Sequence, residues 1–278
     1  MKINGSIKVV GIFGCPITHT LSPFMHNKAF DFLKLHYMYL PFHVEPKDLK
    51  TALEGIKCLN FAGLNITVPH KENALKYIDE IDAAAVKIGA INTVVIKNGK
   101  LKGYNTDGAG FLRSLKSGFN PKNKTVLMLG AGGAGKAAGV ALSAEKIKHL
   151  FIYDPDKIKA KNLYLNIGLP KKVTIIADKT GMERIAVNAD LIINTTPVGM
   201  HSGSPCVINP KLLNRKMYVY DVIYNRETEL IKSAKKAGCK HSDGLGMLLY
   251  QGVAAFELWT GKKAPVKEMH KALLKALK

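Results

Sequence analysis

The stretch TVLMLGAGGAGK, residues 125–136, says more about this fold than any other part of the sequence. A short apolar strand, residues 125–129, leads into a glycine-rich turn, and an alanine-rich helical stretch follows. The turn satisfies Gly-x-Gly-x-x-Gly at Gly130, Gly132 and Gly135. Such glycines allow a tight turn, close approach of a pyrophosphate, and close packing of the helix on the strand. The N–H groups at the helix N-terminus would then bind the anion.

Two neighbouring features bear on the kind of nucleotide. Asp154 ends the next predicted strand, 24 positions after Gly130, where an acidic residue commonly meets the adenosine ribose. Residues 130–136 also spell most of a P-loop, but Ala137 stands where a P-loop needs Ser or Thr for magnesium. The sequence therefore favours a dinucleotide over a nucleoside triphosphate.

Strands alternate with helices after this loop. The short apolar runs lack a two-residue alternation, which is typical of a parallel sheet buried on both faces. This pattern predicts a Rossmann-type, doubly wound dinucleotide-binding domain over residues 109–241. Its predicted strands are residues 125–129, 149–153, 173–177, 190–194 and 217–222.

The rest of the chain also has an α/β pattern. Asn98-Gly99 predicts a tight hairpin, and Ser22-Pro23 predicts a helix N-cap followed by Pro at the first helical position. The last helices are expected to return to the first domain, which gives an N-terminal α/β substrate domain of residues 1–108 with 242–278. The predicted strands are residues 8–13, 37–44, 64–68, 93–97 and 101–104, and the predicted helices are residues 22–35, 245–259 and 265–277.

Composition excludes several classes of protein. Of 278 residues, 47% are hydrophobic and 22% charged, which is an ordinary globular balance rather than that of a disordered chain. No apolar run reaches the ~18 residues of a membrane span, and the N-terminus lacks the apolar core of a signal peptide. We therefore expect a cytoplasmic protein with no membrane partner.

The formal charge of +20 does not indicate a nucleic-acid partner. Only four of the 41 cationic residues are arginine, the side chain that phosphate and base recognition uses most, and the lysines are scattered. A positive field would instead speed the capture of small anions. The cysteines are far apart and show no zinc-ligand spacing, so no metal site is predicted.

Polar side chains cluster at the ends of predicted strands in the N-terminal domain. Asn, Thr, Ser and Asp gathered in this way suit a small ligand with many hydroxyl groups. Each residue also has a purely structural alternative. Ser22 and Asp107 could serve as helix caps, and Asn92 and Asn105 could serve as turn residues. The clusters are residues 18–23, 65–71, 91–93 and 104–108.

With these motifs the chain resembles the shikimate dehydrogenase family. The resemblance covers nearly the whole chain in order, and its motifs around Lys71 and Asp107 are specific. It implies NADPH-dependent, reversible reduction of 3-dehydroshikimate to shikimate, in aromatic amino-acid biosynthesis. The matching segments are residues 14–17, 22–23, 65–71, 89–93, 103–107, 130–135, 194–200, 221–225 and 244–248, with Gln251.

The resemblance also implies roles for individual residues. Lys71 and Asp107 would be the catalytic pair, the lysine supplying a proton to the alkoxide that hydride transfer creates. The substrate carboxylate and hydroxyls would be bound by Thr20, Ser22, Thr67, Asn92, Tyr224 and Gln251. The cofactor would be bound by Gly130, Ala131, Gly132, Gly133, Ala134, Gly135, Asp154, Thr195, Val222, Gly244 and Met247.

The sequence departs from the family pattern at two places. NADP-using members carry Asn-Arg-Thr where this chain has Asp154-Pro155-Asp156, and a carboxylate at the ribose favours NAD over NADP. Thr20 stands where the family usually has Ser. A quinate/shikimate dehydrogenase that uses NAD is therefore the alternative, and the protein is expected to be a monomer or homodimer. A non-catalytic NAD(P)-binding sensor is disfavoured, because Lys71 and Asp107 are both retained.

Overall fold

The computed structural model describes residues 3–59 and 61–277, which divide into two compact units. The first unit comprises Met1–Thr106 with Leu249–Lys278, and the second comprises Asp107–Leu248. The chain therefore leaves the first unit once and returns to it, so that this unit is built from two separate segments.

Strands and helices alternate along most of the chain. The strands are β1 (Lys8–Gly14), β2 (Tyr37–His43), β3 (Gly63–Ile66), β4 (Glu80–Ile81), β5 (Thr93–Lys97), β6 (Lys100–Tyr104), β7 (Thr125–Leu129), β8 (His149–Tyr153), β9 (Val173–Ile175), β10 (Leu191–Asn194), β11 (Tyr218–Asp221) and β12 (Lys240–Ser242). The helices are α1 (Ser22–Phe32), α2 (Leu49–Cys58), α3 (Ala83–Ile88), α4 (Asp107–Lys116), α5 (Gly133–Ser143), α6 (Lys157–Ile167), α7 (Lys179–Ala186), α8 (Glu229–Lys236), α9 (Leu245–Thr260) and α10 (Val266–Ala276).

The described part of the first unit holds a mixed six-stranded sheet in the order β2-β1-β3-β5-β6-β4. β1 runs parallel to β2 and β3, whereas β5 is antiparallel to both β3 and β6. The hairpin of β5 and β6 is confirmed, and its turn residues Asn98 and Gly99 have φ angles of 52° and 72°, as a type I′ turn requires. Strand β4 pairs with β6. With two residues, β4 is too short for the sequence pattern to predict it.

The predicted start of α1 is wrong in one detail. The helix begins at Ser22, so Leu21 rather than Ser22 occupies the N-cap position, and no side chain caps the helix there. Pro23 still stands at the start of the helix, where its missing N–H costs nothing. The Ser22 hydroxyl is thereby available for an interaction with the sheet.

The second unit has the doubly wound fold that the sequence predicts. All strand pairs of its six-stranded sheet, among the residues described, are parallel, in the order β12-β11-β10-β7-β8-β9. β7 is central and carries the glycine-rich loop at its carboxyl end. Strands β7, β10 and β11 are buried on both faces, which explains their continuous apolar runs. Core side chains include Leu127, Leu129, Ile192, Val219, Met182 and Leu230.

Two clusters of apolar side chains form the core of the first unit. One lies around Phe13, Leu53 and Leu64, against α2. The other is aromatic and surrounds the fully buried His26, whose ring stacks on Tyr39 at a centroid distance of 4.6 Å and an interplanar angle of 11°. Phe30, Phe256 and Trp259 belong to the same aromatic cluster.

Among residues 3–59 and 61–277, no helix combines the length and the apolar character that crossing a membrane requires.

Candidate active site

Buried amide and hydroxyl groups form a chain of hydrogen bonds across the sheet of the first unit. The Tyr39 hydroxyl on β2 donates to Asn65 Oδ1 on β3 at 2.8 Å. Asn65 Nδ2 donates in turn to the Asn92 carbonyl at 2.9 Å and to Thr93 Oγ1 on β5 at 3.0 Å. All four side chains are buried, so each bond is made away from water and holds its partners in fixed orientations.

Within this hydrogen-bond network, the Asn92 side chain makes the most bonds. Its Oδ1 accepts hydrogen bonds from the Thr106 N–H at 2.8 Å and the Thr93 hydroxyl at 3.0 Å. Its Nδ2 donates to Thr106 Oγ1 at 2.9 Å and reaches Gln251 Oε1 at 3.5 Å. These bonds fix which way the amide points, and they bring together two predicted substrate-binding residues that are 159 positions apart.

Thr20 and Ser22 lie at the Tyr39 end of this hydrogen-bond network. Thr20 Oγ1 accepts a 3.4 Å hydrogen bond from the Ser22 N–H, and Ser22 is 4% exposed. Burial raises the pKa of Tyr39 well above its ordinary value, and the hydrogen bond from the Ser22 hydroxyl offsets part of that rise. The Tyr39 hydroxyl donates to Asn65, and its pKa responds to buried Ser22 at the start of α1, so this helix and the sheet meet here.

The segment that carries Thr67 and Lys71 is a tight turn after β3. The Thr67 carbonyl accepts the His70 N–H at 2.9 Å, and the Lys71 carbonyl accepts the N–H of Ile91 at 2.8 Å. The buried His70 ring donates through Nε2 to the Val44 carbonyl at 2.8 Å. Backbone bonds on both sides and the His70 ring therefore hold half-buried Lys71 next to the strand that begins after Asn92.

In the second unit, the glycine-rich loop has the geometry of a phosphate cradle. Gly130 has a φ angle of +100°, a conformation that side chains disfavour. A Cβ at Gly135 would lie 2.5 Å from the Gly130 carbonyl oxygen, so only glycine permits this packing. A Cβ at Gly132 would meet nothing within 4 Å. The open space at Gly132, where α5 begins without a side-chain cap, is where a pyrophosphate can approach the backbone.

Thr195 holds the base of this loop. Its hydroxyl lies 2.9 Å from the carbonyl oxygens of both Leu129 and Gly130, to which it donates. The same oxygen lies 2.9 Å from the position that a Cβ of Gly135 would take. Thr195 therefore contacts the loop from the end of β10 and sets its shape.

The Asp154 carboxylate also bonds the loop. Its Oδ2 accepts the Ala131 N–H at 2.7 Å, and its Oδ1 accepts the Asp156 N–H at 2.8 Å. Asp156 caps α6 by accepting from the N–H of Lys159 and of Ile158, and these bonds, with Lys159 3.5 Å away, lower the pKa of its carboxyl. Both oxygens of Asp154 thus already accept backbone hydrogen bonds.

Val222 and Gly244 lie backbone to backbone beside the end of β11. A side chain at Gly244 would collide with the Val222 carbonyl, and the Gly244 N–H donates to the Ile223 carbonyl at 3.1 Å. The turn is fixed by fully buried Asp221, which accepts from Asn194 Nδ2, the Ile223 N–H and the hydroxyl of Thr228. Burial is the largest influence on the Asp221 carboxyl and raises its pKa.

The predicted site residues are divided between the two units. Lys71 lies in the first unit, and Asp107 lies in the second, buried at the first position of α4. Thr20, Ser22, Thr67, Asn92 and Gln251 belong to the first unit. The glycine loop, Asp154, Thr195, Val222, half-buried Tyr224, Gly244 and Met247 belong to the second.

Several supporting residues were not among the predicted site residues. Asn65 and His70 stand inside the quoted motif of residues 65–71, and Thr106 directly precedes Asp107, so proximity in sequence could have indicated them. Asp221 opens the matching segment of residues 221–225 and directly precedes Val222, so its position in the sequence could also have indicated it. Tyr39 carries no such signal, because it acts through a partner that only the fold brings close.

Two family models match the chain. Residues 12–94 match the shikimate dehydrogenase substrate binding domain, and residues 244–274 match the shikimate 5'-dehydrogenase C-terminal domain. The NADP(+) shikimate dehydrogenase of Methanobrevibacter smithii is 43% identical, over 99% of both chains.

Solved structures resemble the chain over nearly its full length. A shikimate dehydrogenase in complex with NADP+ has a TM-score of 0.91 and 37% identity, covering 100% of this chain and 98% of the other. A quinate dehydrogenase from Corynebacterium glutamicum in complex with NAD has a TM-score of 0.90 and 33% identity, covering 97% and 99%. With identity above 40% to a curated relative along almost its whole length, this chain belongs to the shikimate dehydrogenase family.

Proposed function

We propose that this protein is an oxidoreductase that reversibly reduces 3-dehydroshikimate to shikimate with NADPH. One observation carries the proposal: a glycine loop shaped for a dinucleotide and a buried amide and hydroxyl network suited to a polyhydroxylated acid occur in one chain of this family. The place of the reaction in aromatic amino-acid biosynthesis follows from the same proposal.

The chemistry requires a proton donor beside the ketone. When bound, the nicotinamide supplies a hydride to the carbonyl carbon, and the carbonyl oxygen gains a negative charge. The Lys71 ammonium stabilises that charge and donates a proton, so that hydride and proton together convert C=O to CH–OH. The Asp107 carboxylate accepts a hydrogen bond from a substrate hydroxyl.

Side chains of the first unit supply most of the proposed contacts to substrate. The hydroxyls of Thr20 and Ser22 bind the carboxylate, while Thr67, Asn92 and Gln251 bind ring hydroxyls. The bonds from Thr93 and Thr106 support this role for Asn92, because an amide already held in one orientation loses little entropy on binding. Tyr224 of the second unit provides a further phenol group.

For the cofactor we propose NADP. The hydrogen bonds that Asp154 accepts from Ala131 and Asp156 support a role in shaping the loop rather than in binding the ribose. Lys159, 57% exposed and 3.5 Å from Asp156, offers a cation for a 2′-phosphate. The remaining cofactor contacts are assigned to the loop of residues 130–135, Thr195, Val222, Gly244 and Met247.

A second candidate function is quinate/shikimate oxidation with NAD. Asp156 favours it, since its negative charge lies where the family usually has a neutral Thr and would repel a 2′-phosphate. The decisive experiment crosses shikimate and quinate with NADP and NAD, following the absorbance of the reduced nicotinamide. The highest kcat/KM for shikimate with NADP supports the first proposal, a higher value for quinate with NAD supports the second, and no turnover of either acid overturns both.

The Asp154→Asn variant tests the cofactor assignment. If Asp154 only shapes the loop, both cofactors lose affinity by a similar factor. If the variant instead raises kcat/KM for NADP alone, the carboxylate selects against the phosphate and our assignment is wrong.

We also propose a cytoplasmic location, in keeping with four cysteines that all stand as free thiols in a fold that needs no oxidising compartment. A monomer or homodimer is proposed for the assembly, and light scattering of the purified protein distinguishes the two.

A further inference from the structure

Three metal-ligating side chains meet at the carboxyl ends of β1 and β2, and none of them has a part in the proposed reaction. The parallel register places Gly14 opposite His43, which brings the next residue, Cys15, beside the His43 ring. Cys15 Sγ lies 3.6 Å from His43 Nε2, which lies 2.9 Å from Glu45 Oε1. The three ligand atoms all lie within 4.8 Å of one another.

These distances suit a tetrahedral zinc ion. With Zn–S of about 2.3 Å and Zn–N of about 2.05 Å, a tetrahedral angle separates sulfur and nitrogen by about 3.6 Å. The separation of Cys15 Sγ and His43 Nε2 is the same, 3.6 Å. The Glu45 carboxylate would need to retreat by about half an ångström to reach the nitrogen–oxygen separation of about 3.4 Å. Its side chain is 51% exposed, so it has the freedom to do so.

The arrangement does not suit a nucleophilic triad. In a triad, the thiol and the carboxylate bind opposite nitrogens of the imidazole. Here Cys15 and Glu45 both approach the same nitrogen, Nε2 of His43. Desolvation, with the Glu45 carboxylate nearby, also raises the pKa of the Cys15 thiol, which opposes an activated thiolate. A cation placed among the three atoms would satisfy all of them.

The backbone around the cluster is well held, whereas its outer side is open. The Val44 N–H donates to the Gly14 carbonyl at 3.2 Å, and the Cys15 N–H donates to the Val68 carbonyl at 3.1 Å. The side chain of His43 is 53% exposed, so a hydrated ion can reach the ligands. The same exposure leaves space for a water molecule as a fourth ligand.

We propose that Cys15, His43 and Glu45 form a binding site for a borderline-soft divalent cation, Zn²⁺, with water completing a tetrahedral set. Sγ, Nε2 and one carboxylate oxygen are the protein ligands. The thiol releases its proton to solvent as the sulfur–zinc bond forms. The His43 ring proton, which Nε2 donates to Glu45 in the metal-free protein, leaves Nε2 for solvent, and Nδ1 carries the proton of the zinc-bound neutral imidazole. The site is independent of the proposed dehydrogenase activity, so a failure of either proposal leaves the other standing.

The test measures metal binding directly, on untagged full-length protein stripped of metal. Co²⁺ serves as the spectroscopic probe, because a thiolate ligand gives it a charge-transfer absorption, and Zn²⁺ affinity is measured by competition with a chromophoric chelator. We expect one equivalent of Co²⁺ to produce the band and one equivalent of Zn²⁺ to abolish it. Cys15→Ser should remove the band, and His43→Gln should weaken Zn²⁺ binding at least about tenfold.

Cys58→Ser is the matched control, since Cys58 is an exposed thiol at the end of α2. It should keep both the band and the Zn²⁺ affinity of the parent protein. Absence of the band in the parent protein, or its loss in Cys58→Ser, overturns the proposal, as does unchanged Zn²⁺ affinity in folded Cys15→Ser. Circular dichroism establishes folding; should Cys15→Ser misfold, His43→Gln and Glu45→Gln decide the question in the same way.

Discussion

His26 should make the first unit unstable in acid. It is fully buried in the aromatic cluster, and neither of its ring nitrogens has a hydrogen-bond partner among the described residues. Burial lowers its pKa from 6.5 to about 3. Between pH 6.5 and about pH 3, His26 is protonated in the unfolded chain and neutral in the folded protein. The stability due to the neutral ring is therefore complete above pH 6.5 and is lost as the pH falls towards 3.

The size of the effect follows from the shift in pKa. Each pH unit below 6.5 costs about 1.4 kcal/mol, so this one group removes about 3 kcal/mol of unfolding free energy by pH 4. His26→Phe keeps an aromatic ring against Tyr39 but carries no titrating nitrogen. Extra ring volume would cost about 1–3 kcal/mol, but that cost is the same at every pH. The difference between the two proteins should thus shift by about 3 kcal/mol from pH 7 to pH 4 in favour of the variant.

Urea unfolding followed by tryptophan fluorescence provides the measurement. Trp259 is the single tryptophan of the chain, and its ring centroid lies 5.2 Å from that of His26, so its signal reports on the first unit. Other groups titrate equally in both proteins and cancel from the difference. If the unfolding free energies of parent and variant fall in parallel between pH 7 and pH 4, His26 is protonated in the folded protein and the reasoning is refuted.

Three further predictions concern the proposed site. Lys71→Ala should lower kcat by about 10²–10⁴-fold with little change in KM, measured by steady-state kinetics. The control Lys76→Ala, at an exposed lysine, should leave both kcat and KM unchanged. Near-normal turnover by Lys71→Ala would exclude Lys71 as the proton donor. Gly132→Ala should leave the melting temperature unchanged but weaken NADP binding in a fluorescence titration, whereas Gly135→Ala should lower the melting temperature, because its methyl group meets a backbone carbonyl. Equal melting temperatures would contradict that contrast. Tyr39→Phe leaves a buried amide oxygen without its donor and should cost about 1–3 kcal/mol in urea unfolding; a cost near zero would show that the bond is not maintained.

Local patterns in the sequence were sufficient for much of the fold. The apolar run before Gly130 predicted the central strand β7, and Asn98-Gly99 predicted a hairpin, since both signals depend only on neighbours in the chain. Ser22 failed as an N-cap because the helix starts one residue earlier than the cap pattern implied, and the fold uses its hydroxyl against Tyr39 instead. Tertiary contacts decided this position, not local propensity.

The candidate site was less accessible to sequence reasoning. Asn92 could be singled out from its motif, but its bonds to Thr106 and Gln251 depend on how the two segments of the first unit come together. Asp154 directly follows β8, yet its carboxylate accepts the Ala131 N–H, which no spacing rule indicates. The approach of Cys15 to His43 is set by strand register, which a single sequence does not display.

The two-segment construction of the first unit has a consequence for synthesis on the ribosome. The Trp259 indole N–H donates to the Val94 carbonyl at 2.9 Å, and helix α10 packs on α1, so early residues of this unit bond to residues made after the whole second unit. The second unit is continuous in sequence and can fold as soon as it emerges. The nascent first segment, by contrast, must wait with part of its apolar surface uncovered. Its exposure to chaperones is therefore set by the time needed to translate the intervening residues, 107–248.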